Sequence, residues 1–209
     1  MERAEYRTNC QDGSKVSYRY SILGAEPTMK YCVVGGRNLD VTERIKLRDG
    51  ISLNGMSLSN NHFYMDDEAP GIQLVDFVAN TDRMLIVSQQ AKAILQAQAL
   101  ANIEYVQVSI FDHKERLASS DYFIVNIIGS LDCLNQDKSL LKRGRINPES
   151  VHAVNKVVLH EEKISSEQRL FRVTLIPFIT IIRDDLVAVL KKHKMKGFTL
   201  YPLNEDIGL

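Results

Sequence analysis

The sequence is short of the features that usually announce a function. Its charges cancel, with 26 Lys plus Arg against 26 Asp plus Glu, so no overall field draws it to nucleic acid or an anionic membrane, and any partner must be read locally. Cysteine is scarce. Cys10, Cys32 and Cys133 are far apart and odd in number, which fits a reducing compartment and argues against a disulfide framework or a Cys-x-x-Cys metal site. The opening residues, MERAEYRTNCQDG, hold no apolar core of signal-peptide length, and no later run is long and apolar enough to span a bilayer. The protein is therefore expected in the cytoplasm.

Catalytic signatures are lacking as well. There is no Gly-x-Ser-x-Gly elbow, no phosphate-binding GxxxxGK[ST] and no GxGxxG after a strand. Val34-Gly35-Gly36-Arg37 is too short for a phosphate cradle, and His160-Glu161-Glu162 lacks the second histidine that a zinc helix needs. One thiol arrangement remains: Cys133, with Asp132 beside it and His113, His152 or His160 as a base. A nucleophilic cysteine needs that base within hydrogen-bond reach, which spacing cannot show. A free cysteine more often packs as a small hydrophobe. The expectation is a protein that is not an enzyme and carries no cofactor or metal. A Cys133-dependent hydrolase and a small-molecule sensor with a cleft between two repeated units are the alternatives.

What is present is apolar material and pattern. With 209 residues, 44% of them hydrophobic, the chain can bury a sizeable core without staples. Ile72 to Phe111 reads as strand, helix, strand, and Leu170 to Leu203 repeats it in reduced form. Setting Ser88 on Arg183 gives an offset of 95 (183 − 88) that also aligns Ala91 with Leu186, Leu95 with Leu190, Asn102 with Gly197 and Ile103 with Phe198. In both copies a β-rich run passes into apolar residues at i, i+3 and i+4, one face of a helix. Ser88 can cap the first helix; Asp184 and Asp185 offer oxygens to the second. Asn102 and Gly197 suit the left-handed position that stops a helix. Lys191, Lys192, His193, Lys194 and Lys196 read as a solvated helix end rather than a nucleic-acid patch, since no aromatics interleave.

The rest is less regular. Lys15 to Ile22 alternates as a half-buried strand, and Tyr31 to Val34, ended by Gly35-Gly36, is expected to form a hairpin with it. Arg37 to Asn61 holds neither period, so the turn pairs Asp49-Gly50 and Asn54-Gly55 point to short strands. His62 to Gly71 reads as an aromatic and acidic loop with Phe63 and Met65 tucked in. Asp121 to Ile128 is a strand covered on both faces, with Asn126 as a hydrogen-bonded core amide. Leu131 to Leu134 is expected to pair back with it. Asn135 to Pro148 reads as a loop, basic in its second half, and Val151 to Leu159 as a further strand.

DFVANTDRMLIVSQQAKAIL, DYFIVNIIGSLDCLNQDKS, VVLHEE and LFRVTLIPFITIIRDDLVAVLKKHKMKGFTLYPL closely resemble, in order and spacing, a family of bacterial immunity proteins from polymorphic toxin systems, formerly a domain of unknown function and of the myxobacterial type. The likeness spans Asp76 to Leu203. It is carried by Val87-Ser88 opening the first helix, by Tyr122-Phe123-Ile124-Val125-Asn126, by Leu131-Asp132-Cys133-Leu134, by Leu170-Phe171-Arg172, and by Lys194-Met195-Lys196-Gly197-Phe198. Arg183 departs from the family, which has serine or a similar cap there, and the first 60 or so residues match poorly.

The resemblance implies an antitoxin in interbacterial competition, for example against effectors of type VI secretion. It would bind a cognate toxin protein and block it, with no nucleic-acid or membrane partner. Whether it is a monomer or a homodimer stays open. Such a protein needs a complementary surface with a few desolvated anchors. The residues chosen for it are Tyr64, Asp66, Asp67 and Glu68, an exposed tyrosine beside carboxylates, and Lys142, Arg143 and Arg145 in the basic loop. The expected fold is α+β, with mixed or antiparallel sheets and two packed helices built around the two strand, helix, strand units. It comprises a β-rich portion over 1–60 and an immunity-like portion over 61–209 within one globular unit.

Overall fold

A computed structural model describes residues 18–26, 28–145 and 147–208. Its strands are β1 (Tyr20–Ala25), β2 (Val33–Gly35), β3 (His62–Met65), β4 (Phe77–Asn80), β5 (Ile86–Ser88), β6 (Ile103–Phe111), β7 (Leu117–Ile127), β8 (Leu140–Arg143), β9 (Val151–Lys156), β10 (Leu170–Val173), β11 (Ile176–Arg183) and β12 (Phe198–Pro202). Its α-helices are α1 (Val41–Asp49), α2 (Gln89–Ala97) and α3 (Asp184–Lys192). The fold is α+β, as expected, with one more helix than the sequence reading allowed.

Three sheets result. Strands β2, β3, β6, β7, β5 and β4 close into a barrel, β10, β11, β1 and β12 form an open sheet in that order, and β8 pairs with β9 as a ribbon. The barrel interior holds Val34, Phe63, Met65, Ile86, Ile110 and Ile124. Between barrel and open sheet lies a second core in which Ala91 and Leu95 of α2 and Leu186 and Leu190 of α3 meet Phe123 and Val125 of β7 and Leu23 and Ile182 of the open sheet. The other face of the open sheet, with Ile22, Phe171 and Ile181, packs on Cys133, Leu134, Val154 and Val157. So the second half of β7 and the middle of β11 have cores on both faces, which is why residues 122–125 and most of residues 179–182 are apolar at successive positions.

Ser88 opens α2 as expected, whereas α3 has no side-chain cap from Asp184 or Asp185, and the left-handed residues that first follow the helices are Ala99 and Lys194, ahead of Asn102 and Gly197. The Ser88 hydroxyl accepts the Ala91 N–H at 3.2 Å. Arg183 is the N-cap of α3 without capping it; its buried guanidinium instead grips Asp185 at 2.7 and 3.0 Å. Ala99 and Asn102 after α2, and Lys194 and Gly197 after α3, all take positive φ. Strands β5 and β6 flank β7, both antiparallel to it, and β11 and β12 flank β1 in the same way.

Five local expectations fail. Strand β1 does not form a hairpin with β2: it inserts between β11 and β12, while β2 joins the barrel beside β3 and β4. The first positions of the expected strand, Lys15 to Ser17, lie outside the described residues, as does Cys10. Arg37 to Asn61 contains α1, not short strands. Asp40 caps it by accepting the N–H groups of Thr42 and Glu43 at 2.8 and 3.1 Å, and Gly50 ends it at φ +70°. The helical period is hidden because Val41 and Ile45 face solvent at 70% and 42% exposure, leaving Leu47 as its one buried residue. His62–Met65 is strand rather than loop, although Phe63 and Met65 are buried as expected. Leu131 and Leu134 bridge to Val173 and Leu159, not back to β7, and the expected loop after Asn135 contains β8.

Two polar side chains, one buried and one half-buried, tie these layers together. Arg172 of the Leu170-Phe171-Arg172 motif is 2% exposed. It donates to Ile127 O at 3.1 Å, Pro177 O and Arg48 O at 2.5 Å and Leu47 O at 2.9 Å, joining barrel, open sheet and the end of α1. On β6, Glu104 accepts from the Ser52 hydroxyl, from Leu53 N–H at 3.0 Å and from the Asn126 amide at 3.3 Å, pinning the segment after α1. The Asn126 amide also donates to Ile51 O at 3.0 Å, so it is the core amide expected, with its own carbonyl oxygen unpartnered.

Desolvation pushes the Glu104 pKa up, but the hydrogen bonds from Ser52, Leu53 and Asn126 outweigh it and hold the carboxyl below its usual 4.5. A carboxylate depressed in the folded state stabilises above its unfolded pKa, and that contribution drains as pH falls through the folded value. Urea unfolding between about pH 5 and 3 should therefore show a steeper loss of stability in the native protein than in Glu104→Gln. Equal slopes would count against this role.

Candidate functional site

Strand pairing decides where the first set of chosen residues goes. In β3, alternation sends Phe63 and Met65 inward and leaves Tyr64 on the outer face, opposite Gly35 of β2. The chain then turns. Asp66 N–H donates to Val33 O at 2.8 Å, and the Asp66 carboxylate accepts Glu68 N–H at 2.9 Å. His113 Nε2 lies 3.1 Å from Asp66 O and 3.2 Å from Ala69 O. Two carbonyls can only accept, so that nitrogen carries a proton and tethers the acidic turn. Asp67 and Glu68 are left exposed on a braced loop.

Opposite this turn stand two arginines that the sequence reading did not single out. The Arg37 guanidinium lies 5.1 Å from the Tyr64 ring centroid and pairs with Asp67 at 3.1 Å and Glu115 at 3.5 Å. Tyr64 in turn stacks on Phe111, centroids 5.3 Å apart. Arg44, on α1, pairs at 2.7 Å with Asp82, whose side chain is 1% exposed. Asp82 also accepts Gly36 N–H at 2.7 Å, and Arg44 donates to Gly36 O at 2.7 Å, so both peptide groups of that glycine are held. Together these groups line a cleft of about 620 Å³ that includes Tyr64, Asp66, Asp67 and Glu68.

A second cleft, of about 580 Å³, shares Arg44, Thr81 and Asp82 with the first and continues past Ile45 to Arg83, His152 and Phe178. The resulting face alternates fixed charge with exposed apolar side chains. The sequence signal for the helix that carries Arg44 is its cap, Asp40 followed three residues later by Glu43, with no apolar period to accompany it.

The basic set lies elsewhere. Lys142 and Arg143 are exposed on β8 and Arg145 just after it, on the ribbon and outside the first cleft. Arg143 is committed locally, donating to Gln136 Oε1 at 3.0 Å and Pro148 O at 3.2 Å. The structure thus gathers the tyrosine and the three carboxylates round one cleft and leaves the basic trio apart from it. The lysines after α3 are exposed, as a solvated helix end should be.

Cys133 has the environment of a core residue. It is fully buried, and burial pushes its thiol up to about 11, with the Asp132 charge adding to the rise. That is the reverse of an activated thiolate. Of its suggested bases, His113 is occupied with the acidic turn and His160 with Glu162 at 3.0 Å. Among the described residues no cluster of His, Cys, Asp or Glu could hold a metal ion, and no helix is long and apolar enough to cross a membrane.

The family model described as Immunity protein family (Imm11) matches residues 28–205, reaching well upstream of Asp76 and taking in every element from β2 to β12. No curated protein matches the chain.

Proposed function

Because the chain belongs to the immunity protein family Imm11, we propose that it neutralises a cognate bacterial toxin by binding it, acting in the cytoplasm and without chemistry of its own. The family membership carries this reading. The toxin docks over the two adjoining clefts, with Tyr64, Asp66, Asp67 and Glu68 at one end and Ile45 and Arg83 towards the other. Lys142, Arg143 and Arg145 form a separate contact at the ribbon. Support comes from preorganisation: a braced acidic turn, a tyrosine fixed between Phe111 and Arg37, and a buried Asp82 that locks Arg44. Little ordering entropy then remains to be lost on binding.

The test is co-expression with a candidate toxin, taken from any toxin gene found beside its own. A stable complex and rescued growth are expected. Rescue should persist in Cys133→Ala, whereas a Cys133-dependent hydrolase would lose it; absence of both complex and rescue would overturn the proposal.

We also read the two helix-bearing segments as copies of one unit. The offset of 95 carries α2 (Gln89–Ala97) onto α3 (Asp184–Lys192), 184 − 89 and 192 − 97 alike, and the left-handed pair Ala99 and Asn102 onto Lys194 and Gly197. Residues 1–60 and 61–209 belong to one unit on this reading, since β1 sits inside the open sheet and β2 inside the barrel.

A further inference from the structure

Beside the charged clefts is a cavity of another character. It has a volume of about 330 Å³ and lies between barrel and open sheet, walled by β1, β4, β5 and β11. Leu23, Phe77 and Leu85 line it with side chains that belong to the core between the two layers.

The rim carries one cation. Arg83 sits in the tight turn between β4 and β5 at φ +56°. The turn is held by Asn80, whose carbonyl oxygen accepts Met84 N–H at 2.9 Å and whose amide donates to Met84 O at 2.7 Å. The Arg83 guanidinium lies 4.8 Å from the Phe178 ring centroid, and its Nη1 donates to His152 O at 2.9 Å. Neighbouring Arg37, Arg44 and Arg48 each pair with a carboxylate, but among the described residues none pairs with Arg83. Its remaining N–H groups form a fork suited to a planar carboxylate.

We propose that this cavity binds a medium-chain alkyl carboxylate, with its tail between the two sheets and its head on Arg83. At about 30 Å³ for each water-sized group, the volume holds roughly ten heavy atoms, the size of octanoate. The apolar walls take the tail, and the amide of Asn80 is already spent on Met84, so the head-group contact falls to Arg83. Arg83 also borders the face assigned to the toxin, but this inference does not depend on that reading, and its test uses no toxin.

Titrating the protein with sodium octanoate, and with octanol as the uncharged match, decides it. Octanoate should bind at one saturable site, at least about tenfold tighter than octanol, and shift the methyl resonances of Leu23 and Leu85, which line the cavity. Arg83→Met should weaken octanoate about tenfold and leave octanol unchanged. Ala79→Phe, which fills the cavity from β4, should abolish both. Equal affinity for the two compounds, shifts confined to other methyls, or undiminished binding by Ala79→Phe would overturn the proposal. If Ala79→Phe fails to fold, the methyl shifts and the Arg83→Met titrations still decide the matter.

Discussion

Replacing Arg172 with methionine is expected to cost about 3–5 kcal/mol of stability, the range for stranding one side of a buried charged contact. For a chain of this size that corresponds to a fall in thermal midpoint of about 10 °C. Methionine fills much of the volume but leaves the carbonyls of Leu47, Arg48, Ile127 and Pro177 without their donor. Two of these belong to the last turn of α1, whose carbonyl end carries partial negative charge and so favours a cation. Desolvation draws the Arg172 pKa down to about 10, eased by the charge of Asp49, so the side chain remains protonated at neutral pH. Gly50 closes the arrangement: a Cβ there would come within 2.6 Å of Ile127 O and 3.1 Å of Arg172 Cδ. Arg172→Lys should fall between native and Arg172→Met, because one ammonium cannot reach four spread acceptors. A shift of under about 1 kcal/mol for Arg172→Met in urea unfolding would show that the carbonyls find water instead.

Tyr64→Ala is expected to weaken toxin binding by about 30-fold or more, the effect of losing a central aromatic anchor worth about 2 kcal/mol. Its ring is already fixed by Phe111 and Arg37, so the free protein gives up little freedom when it docks. Reversing Asp67 and Glu68 to lysine should act differently. These are exposed charges, and their loss should slow association and change its salt dependence more than it speeds dissociation. Surface-plasmon kinetics separates the two effects. Unchanged binding in both variants, with the complex intact, would move the interface elsewhere; the same measurement on Lys142→Glu with Arg145→Glu would then show whether the ribbon carries it.

The parts of the fold legible in the sequence are those whose cause is local or whose burial is two-sided. Ser88 announces α2 because a hydroxyl before a helical stripe has an N–H to cap, and Asp121 to Ile128 reads as a covered strand because β7 has a core on each face. Elsewhere the cause is distant or inverted. The partners of β1 come from the far end of the chain, so no neighbouring stretch could reveal them. In α1 the apolar residues at helical spacing, Val41 and Ile45, face outward, so periodicity gave no helix and only the caps could have. The candidate site was half legible for the same reason. An acidic turn beside a tyrosine is visible as composition, whereas Arg44 and Asp82 meet only after a helix and a hairpin turn have been placed.

The position of β1 in its sheet bears on how the molecule assembles. Tyr20 meets Arg183 and Ser21 meets Pro202, so the earliest of the described strands must wait, unpaired, for almost the last. Loop closure over that span is slow relative to local contacts. The barrel, whose strands β2 to β7 are contiguous in sequence, can close first. An intermediate with a finished barrel and loose ends is then the species exposed to proteases and to mispairing.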